Sequence, residues 1–148
     1  MDRATNKSKL STSSRPAVPR PVNPRAKPHV LVVDDDRPML YTFRAILEHF
    51  GYRASEATTP EEALAILQSQ PVDVIISDLD LHSDKTGEEL LREAVRMQPH
   101  VGCMLLTGFA LPETLDELDR RGVPVLFKPL EPTKLLSYIE ELLHKKAA

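Results

Sequence analysis

The stretch Val72-Asp73-Val74-Ile75-Ile76-Ser77-Asp78 is a short apolar run, rich in β-branched residues, that ends in an acid. An earlier run, Val30-Leu31-Val32-Val33, is followed by three consecutive acids, Asp34, Asp35 and Asp36. Two such runs lying side by side as parallel strands would bring their terminal carboxylates together at one edge of a sheet. Carboxylates at that spacing repel one another, so the arrangement predicts a divalent cation with a preference for oxygen ligands among them.

Two further strand-like runs also end in polar residues, Thr107 and Lys128. Each has an ordinary explanation by itself, because a threonine can end a strand before a turn at Gly108, and a lysine at a strand end is usually solvated. Asp36 has one too, since an acid before Arg37-Pro38 is ordinary helix-capping chemistry. Carboxylates, a hydroxyl and an ammonium at the ends of four strands nevertheless form a set that is typical of phosphoryl transfer, and together they predict a functional site.

The alternation of short apolar runs with stretches of helical periodicity from His29 onward is the pattern of a parallel sheet flanked by helices. The predicted strands are 29–33, 52–55, 72–77, 101–106 and 123–127, and the predicted helices are 37–50, one that opens at Thr59-Pro60, 87–97, 112–120 and 132–145. In the first helix Met39, Phe43, Ile46 and Phe50 are predicted to share the buried face. In such a sheet, ligands bind outside the carboxyl ends of the strands, where all the marked residues fall.

Composition predicts one folded domain preceded by an arm. The chain has 148 residues, of which 41% are hydrophobic, enough for a single core. Residues 1–28 are rich in Pro, Ser, Lys and Arg and carry a net charge of +6. They are predicted to be disordered, with an organelle transit peptide as the alternative that their prolines disfavour. Residues 29–148 are the predicted domain, and their net charge of −9 argues against direct binding of nucleic acid.

Other classes of function find little support in the sequence. No apolar segment approaches the roughly 20 residues that cross a bilayer, and no signal-peptide pattern is present, so the chain is predicted to be soluble and cytoplasmic. Cys103 is alone and lies inside an apolar run, which predicts a buried, reduced thiol. The five histidines show no ligand spacing, so zinc chemistry is not expected.

Four short motifs together resemble one family. Val33-Asp34-Asp35, Ile76-Ser77-Asp78, Leu106-Thr107-Gly108 and Phe127-Lys128-Pro129 occur in this order within about 120 residues. The ordered set resembles the response regulator receiver domain of two-component signalling. The resemblance covers His29 to the carboxyl terminus. It implies a flavodoxin-like (βα)5 fold, a doubly wound sheet of five parallel strands in the order 2-1-3-4-5.

The resemblance also implies a phosphoacceptor and a metal. Asp78 would take a phosphoryl group from a phosphohistidine of a sensor histidine kinase or phosphotransfer protein, forming an acyl phosphate. Magnesium (Mg2+) would be bound by Asp34, Asp35 and Asp78 and by the backbone carbonyl of Asp80. The cation would offset negative charge on the transferring oxygens.

The remaining two site residues are expected to serve the phosphoryl group and the switch. Lys128 would pair with one phosphoryl oxygen, and Thr107 would donate a hydrogen bond to another. Movement of Thr107 would shift the following loop, so that the chain becomes a two-state switch. Its output would be a downstream target protein that binds the face of helix four, strand five and helix five. Catalysis is expected only of the chain's own phosphotransfer and dephosphorylation. Neither the oligomeric state nor the cognate kinase is predicted.

Three features depart from the family's usual pattern. Val125 stands where an aromatic residue usually precedes the lysine by three, although Phe127 shares its face of the strand. The loop from Leu79 to Gly87 lacks the customary proline four residues after Asp78 and reaches its glycine one residue late. Phe109 is bulky and apolar at a position where many relatives have a polar group that can orient water. The last feature predicts slow self-dephosphorylation.

The alternative function is that of an enzyme. Asp78-Leu79-Asp80 matches the DxD motif of haloacid-dehalogenase-type phosphohydrolases, in which Asp78 would be the nucleophile and Asp80 the acid or base. That family usually carries DxD on its first strand and a later acidic pair for magnesium. Here the acidic pair comes first, so the order of motifs favours the receiver. A receiver that has lost phosphorylation and only binds proteins is disfavoured by the complete set of acids, Thr107 and Lys128.

Overall fold

The computed structural model describes residues 26–147 and contains five strands and five helices in strict alternation within that range. The strands are β1 (His29–Val33), β2 (Arg53–Ala57), β3 (Val74–Asp78), β4 (Gly102–Thr107) and β5 (Val125–Phe127). The helices are α1 (Arg37–His49), α2 (Pro60–Ser69), α3 (Gly87–Met97), α4 (Pro112–Arg120) and α5 (Pro132–Ala147). Most of the predicted arm, residues 1–25, lies outside the described residues, so its disorder stays a prediction.

The strands form one parallel sheet in the order β2-β1-β3-β4-β5. This is the predicted order 2-1-3-4-5. From β1 the chain first adds β2 on one side and then β3, β4 and β5 on the other, so the strand order reverses between the neighbouring strands β1 and β3. Val33 pairs with Ser77 across these two strands, so the residues that follow them leave the sheet side by side. The predicted flavodoxin-like architecture is therefore confirmed, with the acids at the switch point where such folds bind ligands.

Helices cover both faces of the sheet, and successive residues along the central strands point alternately to these two buried surfaces. On one face, α1 and α5 pack against β-branched and aliphatic side chains through Leu40, Phe43, Leu47, Leu135 and Ile139. On the other face, α2, α3 and α4 contribute Ala63, Leu67, Leu90, Leu91 and Leu118. The central strands are fully buried as a result, which explains why their sequences read as uninterrupted apolar runs.

Side-chain caps fix where the helices begin. Asp36 is the N-cap of α1 and accepts a hydrogen bond from the Met39 amide at 3.2 Å, as predicted from the proline that follows. Thr59 caps α2 by accepting from the Glu62 amide at 3.1 Å. Thr86 and Glu89 form a capping box at the start of α3, with each side chain accepting from the other's backbone amide. Each cap therefore fixes the residue at which a loop at the carboxyl edge of the sheet ends and the next helix begins.

Several predicted bounds and one predicted side-chain position were wrong in detail. β2 ends at Ala57 rather than at 55, β3 runs from Val74 to Asp78 rather than from 72 to 77, and β4 lies one residue later than predicted. β5 begins at Val125 rather than at 123, because Pro124 has no amide to donate to the ladder and contributes only its carbonyl, to the Leu105 amide at 2.9 Å. Phe50 does not share the buried face of α1. It is the C-cap residue and is 56% exposed, while Leu40 and Leu47 occupy the core beside Phe43.

Gly87 allows the backbone of α3 to approach the end of β3 closely. Its amide donates to the Leu79 carbonyl at 2.9 Å, and a Cβ atom built on Gly87 would overlap the backbone carbonyl oxygen of Asp78. No side chain fits there without moving Asp78. Gly108, in contrast, has open space around its Cα, since a Cβ atom built there would meet nothing within 4 Å.

We therefore expect Gly87→Ala to destabilise the protein and Gly108→Ala to leave its stability nearly unchanged. Overpacking of this kind costs about 1–3 kcal/mol, whereas a surface change without a clash stays within about 0.5 kcal/mol. Urea denaturation of both variants and the parent measures the difference. Equal unfolding free energies for the two variants would contradict the close approach of Gly87 to Asp78.

Candidate functional site

Three carboxylates meet at the carboxyl edge of the sheet. Asp34 directly follows β1 and is 0% exposed, and Asp78 is the last residue of β3 and is 6% exposed. The side chain of Asp35 is 37% exposed and forms the outer part of the cluster. One carboxylate oxygen from each residue lies within 4.8 Å of those of the other two. The structure thus brings together three of the four predicted metal-binding residues through their side chains.

Lys128 lies next to two of these carboxylates. Its Nζ donates to Asp78 Oδ2 at 2.9 Å and lies 3.6 Å from Asp34 Oδ2. Burial by itself lowers the pKa of Lys128, but the hydrogen bond to Asp78 and the charges of Asp34 and Asp78 outweigh it, so that the pKa is raised. The peptide bond between Lys128 and Pro129 is cis. The Lys128 amide donates to the Thr107 carbonyl at 2.8 Å, which ties the ends of β4 and β5 together.

Asp34 is buried with only one of its oxygens satisfied. Its Oδ1 accepts a hydrogen bond from the Asp36 amide at 2.9 Å, whereas its Oδ2 has no hydrogen-bond partner among the described residues. Burial raises the pKa of Asp34 above its ordinary value, and the negative charge of Asp78 raises it further. The Asp36 amide and Lys128 lower it by less. A fully buried carboxylate oxygen in this state is costly unless a further positive partner faces it.

Thr107 is buried at the end of β4, one register step beyond the pair formed by Asp78 and Leu106. Its hydroxyl donates to the Phe109 carbonyl at 2.7 Å and accepts from the Phe109 amide at 3.2 Å. Both hydrogen-bonding capacities of the side chain are therefore used within its own loop. Phe109 itself is 73% exposed.

The loop after β3 adds a residue that sequence reasoning missed. His82 Nδ1 lies 2.7 Å from Asp35 Oδ2, and His82 Nε2 lies 3.5 Å from Asp80 Oδ2. The hydrogen bond to Asp35 raises the pKa of His82, and the charge of Asp80 raises it further. The five histidines show no ligand spacing along the chain, and this contact spans 47 residues, so no local sequence signal identified it.

Two other titratable groups lie away from this edge. Cys103 is a free, buried thiol in β4, as predicted, and burial raises its pKa to about 11. His29 is buried at the start of β1, where its ring nitrogens contact the Pro71 carbonyl at 2.8 Å and Ser55 Oγ at 2.6 Å. Both side chains are buried, and neither belongs to the carboxylate cluster. Within residues 26–147, no helix is both long and apolar enough to cross a bilayer.

Curated proteins with similar sequences include a response regulator receiver protein and a transcriptional regulatory protein. The response regulator receiver protein CpdR of Brucella abortus is 30% identical over 115 residues, which cover 77% of this chain and 95% of that protein. The alginate biosynthesis transcriptional regulatory protein AlgB of Pseudomonas aeruginosa is 33% identical over 107 residues, or 72% of this chain and 24% of that protein. The chain thus spans about a quarter of the length of this larger relative.

Solved structures with the same fold point in the same direction. A CheY-like response regulator receiver domain protein from Methanospirillum hungatei superposes with a TM-score of 0.75 at 31% identity, covering 82% of this chain and 98% of that one. The chemotaxis protein CheY4 of Vibrio cholerae superposes with a TM-score of 0.72 at 30% identity, covering 80% and 100%. The family model of the response regulator receiver domain matches residues 30–140. The chain therefore belongs to the response regulator receiver domains of two-component signalling.

Proposed function

We propose that this receiver accepts a phosphoryl group on Asp78 from a phosphohistidine of a sensor histidine kinase or phosphotransfer protein, with Mg2+ as cofactor, and signals through protein–protein contacts. The observation that carries the proposal is the position of Asp78, whose Oδ2 lies 2.9 Å from Lys128 Nζ inside the cluster with Asp34 and Asp35. A carboxylate so placed has a cation beside it and further acids to hold a metal. The chain acts as a phosphoacceptor in the cytoplasm rather than as an enzyme with an external substrate.

The residues at the site fit a magnesium ion. Asp34 Oδ2 is buried without a hydrogen-bond partner among the described residues, and carboxylate oxygens are the donors that a hard divalent cation prefers. Asp34, Asp35 and Asp78 would hold the ion through their side chains, and Asp80 would hold it through its backbone carbonyl. When bound, the ion supplies positive charge to offset the charge that develops on the phosphoryl oxygens.

Asp78 is held in a defined orientation for attack. Its Oδ2 meets Lys128, and its Oδ1 accepts from the Asp80 amide at 3.2 Å. In the proposed step a carboxylate oxygen of Asp78 forms a bond to phosphorus while the phosphorus–nitrogen bond of the phosphohistidine breaks, and the electron pair stays on the leaving imidazole. The product is an acyl phosphate. Lys128, which already lies within reach of both buried acids, would then pair with a phosphoryl oxygen as a point charge.

Thr107 couples the site to the loop that follows it. Its hydroxyl is engaged by both backbone groups of Phe109 in the described conformation, at 2.7 and 3.2 Å. Donation to a phosphoryl oxygen would require the hydroxyl to leave at least the Phe109 carbonyl. Phosphorylation would therefore favour a second conformation of the loop, which is what a two-state switch requires.

The proposed output surface is the face formed by α4, β5 and α5. Near it lie three large apolar side chains with substantial exposure: Phe109 at 73%, Leu111 at 54% and Phe127 at 46%. Large apolar and aromatic side chains that are exposed are typical of protein-binding surfaces. The folded part carries excess negative charge, so the proposed partner is a downstream protein and not nucleic acid.

Phosphorylation can be tested directly by mass. We expect the parent, incubated with Mg2+ and a small phosphodonor such as acetyl phosphate, to gain the mass of one phosphoryl group. Asp78→Asn should gain none, and chelation of Mg2+ should abolish the gain in the parent because the charge on the phosphoryl oxygens is then uncompensated. Asp116→Asn is the control, since it makes the same substitution at an exposed acid on α4, away from the carboxylate cluster. Steady turnover of a generic phosphomonoester would instead support the phosphohydrolase.

Asp34 Oδ2 is buried without a hydrogen-bond partner among the described residues. We therefore expect Asp34→Asn, which removes the charge of this side chain, to raise the free energy of unfolding by an amount that depends on pH. Because the folded-state pKa of Asp34 lies above its ordinary value of 3.8, the folded chain binds this proton more tightly than the unfolded chain does. Stability from Asp34 therefore falls as pH rises from that value through the folded-state pKa. In EDTA, the advantage of Asp34→Asn over the parent should grow with pH and reach about 1–3 kcal/mol at neutral pH, the cost of an unsatisfied buried polar group.

Asp36→Asn is the matched control for this measurement. Asp36 is exposed and caps α1, and asparagine caps a helix as well as aspartate does. Its unfolding free energy should follow that of the parent at every pH. A parent that is as stable as Asp34→Asn at neutral pH without metal would argue that the buried oxygen needs no further partner.

The rate of dephosphorylation tests the role of Phe109. An acid there could orient or activate the attacking water, so Phe109→Glu should lose the phosphoryl group faster than the parent, by about tenfold, less than the ~10²–10⁴ of a fully positioned general base. Leu111→Glu, which adds the same charge farther along the loop, should decay at the parent rate. Decay is followed by mass after removal of the phosphodonor. Unchanged or slower loss in Phe109→Glu counts against this role.

A further inference from the structure

His82 connects the loop after β3 to the far side of the carboxylate cluster. Its Nδ1 lies 2.7 Å from Asp35 Oδ2. A carboxylate oxygen accepts hydrogen bonds, so the ring nitrogen that faces it carries the proton. Asp35 is the most exposed of the three clustered acids, with 37% of its side chain exposed, and His82 is the side chain that contacts it within residues 26–147.

The backbone of the loop holds the imidazole in this place. The Asp80 amide donates to Asp78 Oδ1 at 3.2 Å, and the His82 amide donates to Asp80 Oδ1 at 3.0 Å. These two successive turns bring His82 to a φ of 51°, a left-handed conformation that few side chains adopt readily. The loop then returns to Gly87, whose close approach to Asp78 fixes the other end. The position of the ring is therefore set by a series of hydrogen bonds that begins at Asp78.

His82 lies outside the cluster rather than within it. The acids whose oxygens lie mutually within 4.8 Å are Asp34, Asp35 and Asp78, and among the described residues the imidazole does not join that group. Its contacts are to Asp35 on one side and to Asp80 on the other, at 2.7 and 3.5 Å. The ring contacts Oδ2 of Asp35, so an orienting role for His82 requires Oδ1 to be the oxygen that faces the ion. This is the arrangement by which an outer hydrogen bond orients a metal-binding carboxylate.

We propose that His82 is a positioning residue for the divalent cation, orienting the Asp35 carboxylate through its Nδ1–H and so raising the affinity of the site for Mg2+. The inference rests on the proposed function, because it assumes that the cluster binds this ion. It goes beyond the proposed function in one respect: Asp35, the most exposed acid of the site, is oriented by His82 from the loop after β3.

Two substitutions distinguish the effect of the imidazole donor from the effect of the loop conformation. His82→Gly keeps the left-handed conformation, which glycine adopts freely, but removes the hydrogen-bond donor. His82→Asn also tolerates this conformation and places an amide nitrogen at the δ position, where it can donate to Asp35 as Nδ1 does. His100→Gly is the control, because His100 is an exposed histidine in a turn before β4, at the opposite edge of the sheet.

The experiment is a titration of the full chain with Mg2+ alone, followed by the backbone amide NMR signals of the loops at the carboxyl edge. Loss of an outer hydrogen bond typically weakens metal binding about 10- to 100-fold, and the exposure of His82 places the expected effect of His82→Gly near the lower figure of about tenfold. His82→Asn should restore most of the parent affinity, and His100→Gly should match the parent. Recovery by asparagine is a result that mere loosening of the loop would not give.

Four outcomes overturn the proposal. Parent-like affinity in His82→Gly would show that the imidazole does not orient Asp35, and tighter binding would show that it competes with the ion. Equal weakening in His82→Gly and His82→Asn would assign the effect to the loop and not to the donor. If the parent itself binds no Mg2+, the proposed metal site fails together with this inference. In the first three results the parent binds the ion, so the proposed function survives.

Discussion

The carboxyl edge of the sheet concentrates negative charge in a largely buried place, and the groups around it are arranged to balance that charge. Asp34 and Asp78 are almost fully buried and lie at the carboxyl ends of adjacent strands, so their mutual repulsion acts in a medium that screens it poorly. Lys128 supplies one compensating charge at 2.9 and 3.6 Å from their oxygens. One ammonium cannot neutralise two buried acids and the neighbouring Asp35. The described side chains therefore leave an excess of negative charge at this edge, which proton uptake by Asp34 or a bound cation would reduce.

The strand order makes this confinement possible. β1 and β3 are neighbours although α1, β2 and α2 separate them in the chain, and β5 lies two strands from β3, beyond β4. Lys128 reaches Asp78 across that intervening strand because its amide is bonded to the Thr107 carbonyl and its side chain extends over the end of β4. The ammonium of Lys128 therefore reaches the site because its side chain is long, whereas Asp34 and Asp78 lie there because their own strands end there.

Much of the fold and most of the candidate site could be predicted from sequence, for two physical reasons. Central strands of a parallel sheet are buried on both faces, so their apolar runs are visible without any other information. Residues that end or directly follow such runs must lie at one edge, which predicted that Asp34, Asp78, Thr107 and Lys128 lie at the same edge of the sheet. Helix starts were equally local, because the caps of Asp36 and Thr59 act on amides only three residues away.

Features that depend on contacts between distant segments were not predictable. The contact of His82 with Asp35 joins two loops, and no periodicity or spacing along the chain encodes it. The proximity of Gly87 to the Asp78 carbonyl likewise follows from how α3 packs onto β3. Phe50 was misplaced because the helix ends before it. Gly51 then takes a φ of 91°, and the chain turns Phe50 to the surface.

The departure at Val125 bears on how the proposed switch could work. Val125 packs against the apolar core on the face of α2, α3 and α4, where it is partly buried, and it carries no aromatic ring that could turn between positions. Phe127 lies on the same face of β5 but is 46% exposed. Inward movement of Thr107 would instead act directly on Phe109, because the threonine hydroxyl holds both the amide and the carbonyl of that residue. In the proposed mechanism the signal therefore runs along the backbone of residues 107–111 to exposed apolar side chains, and a rotating aromatic on β5 is not required.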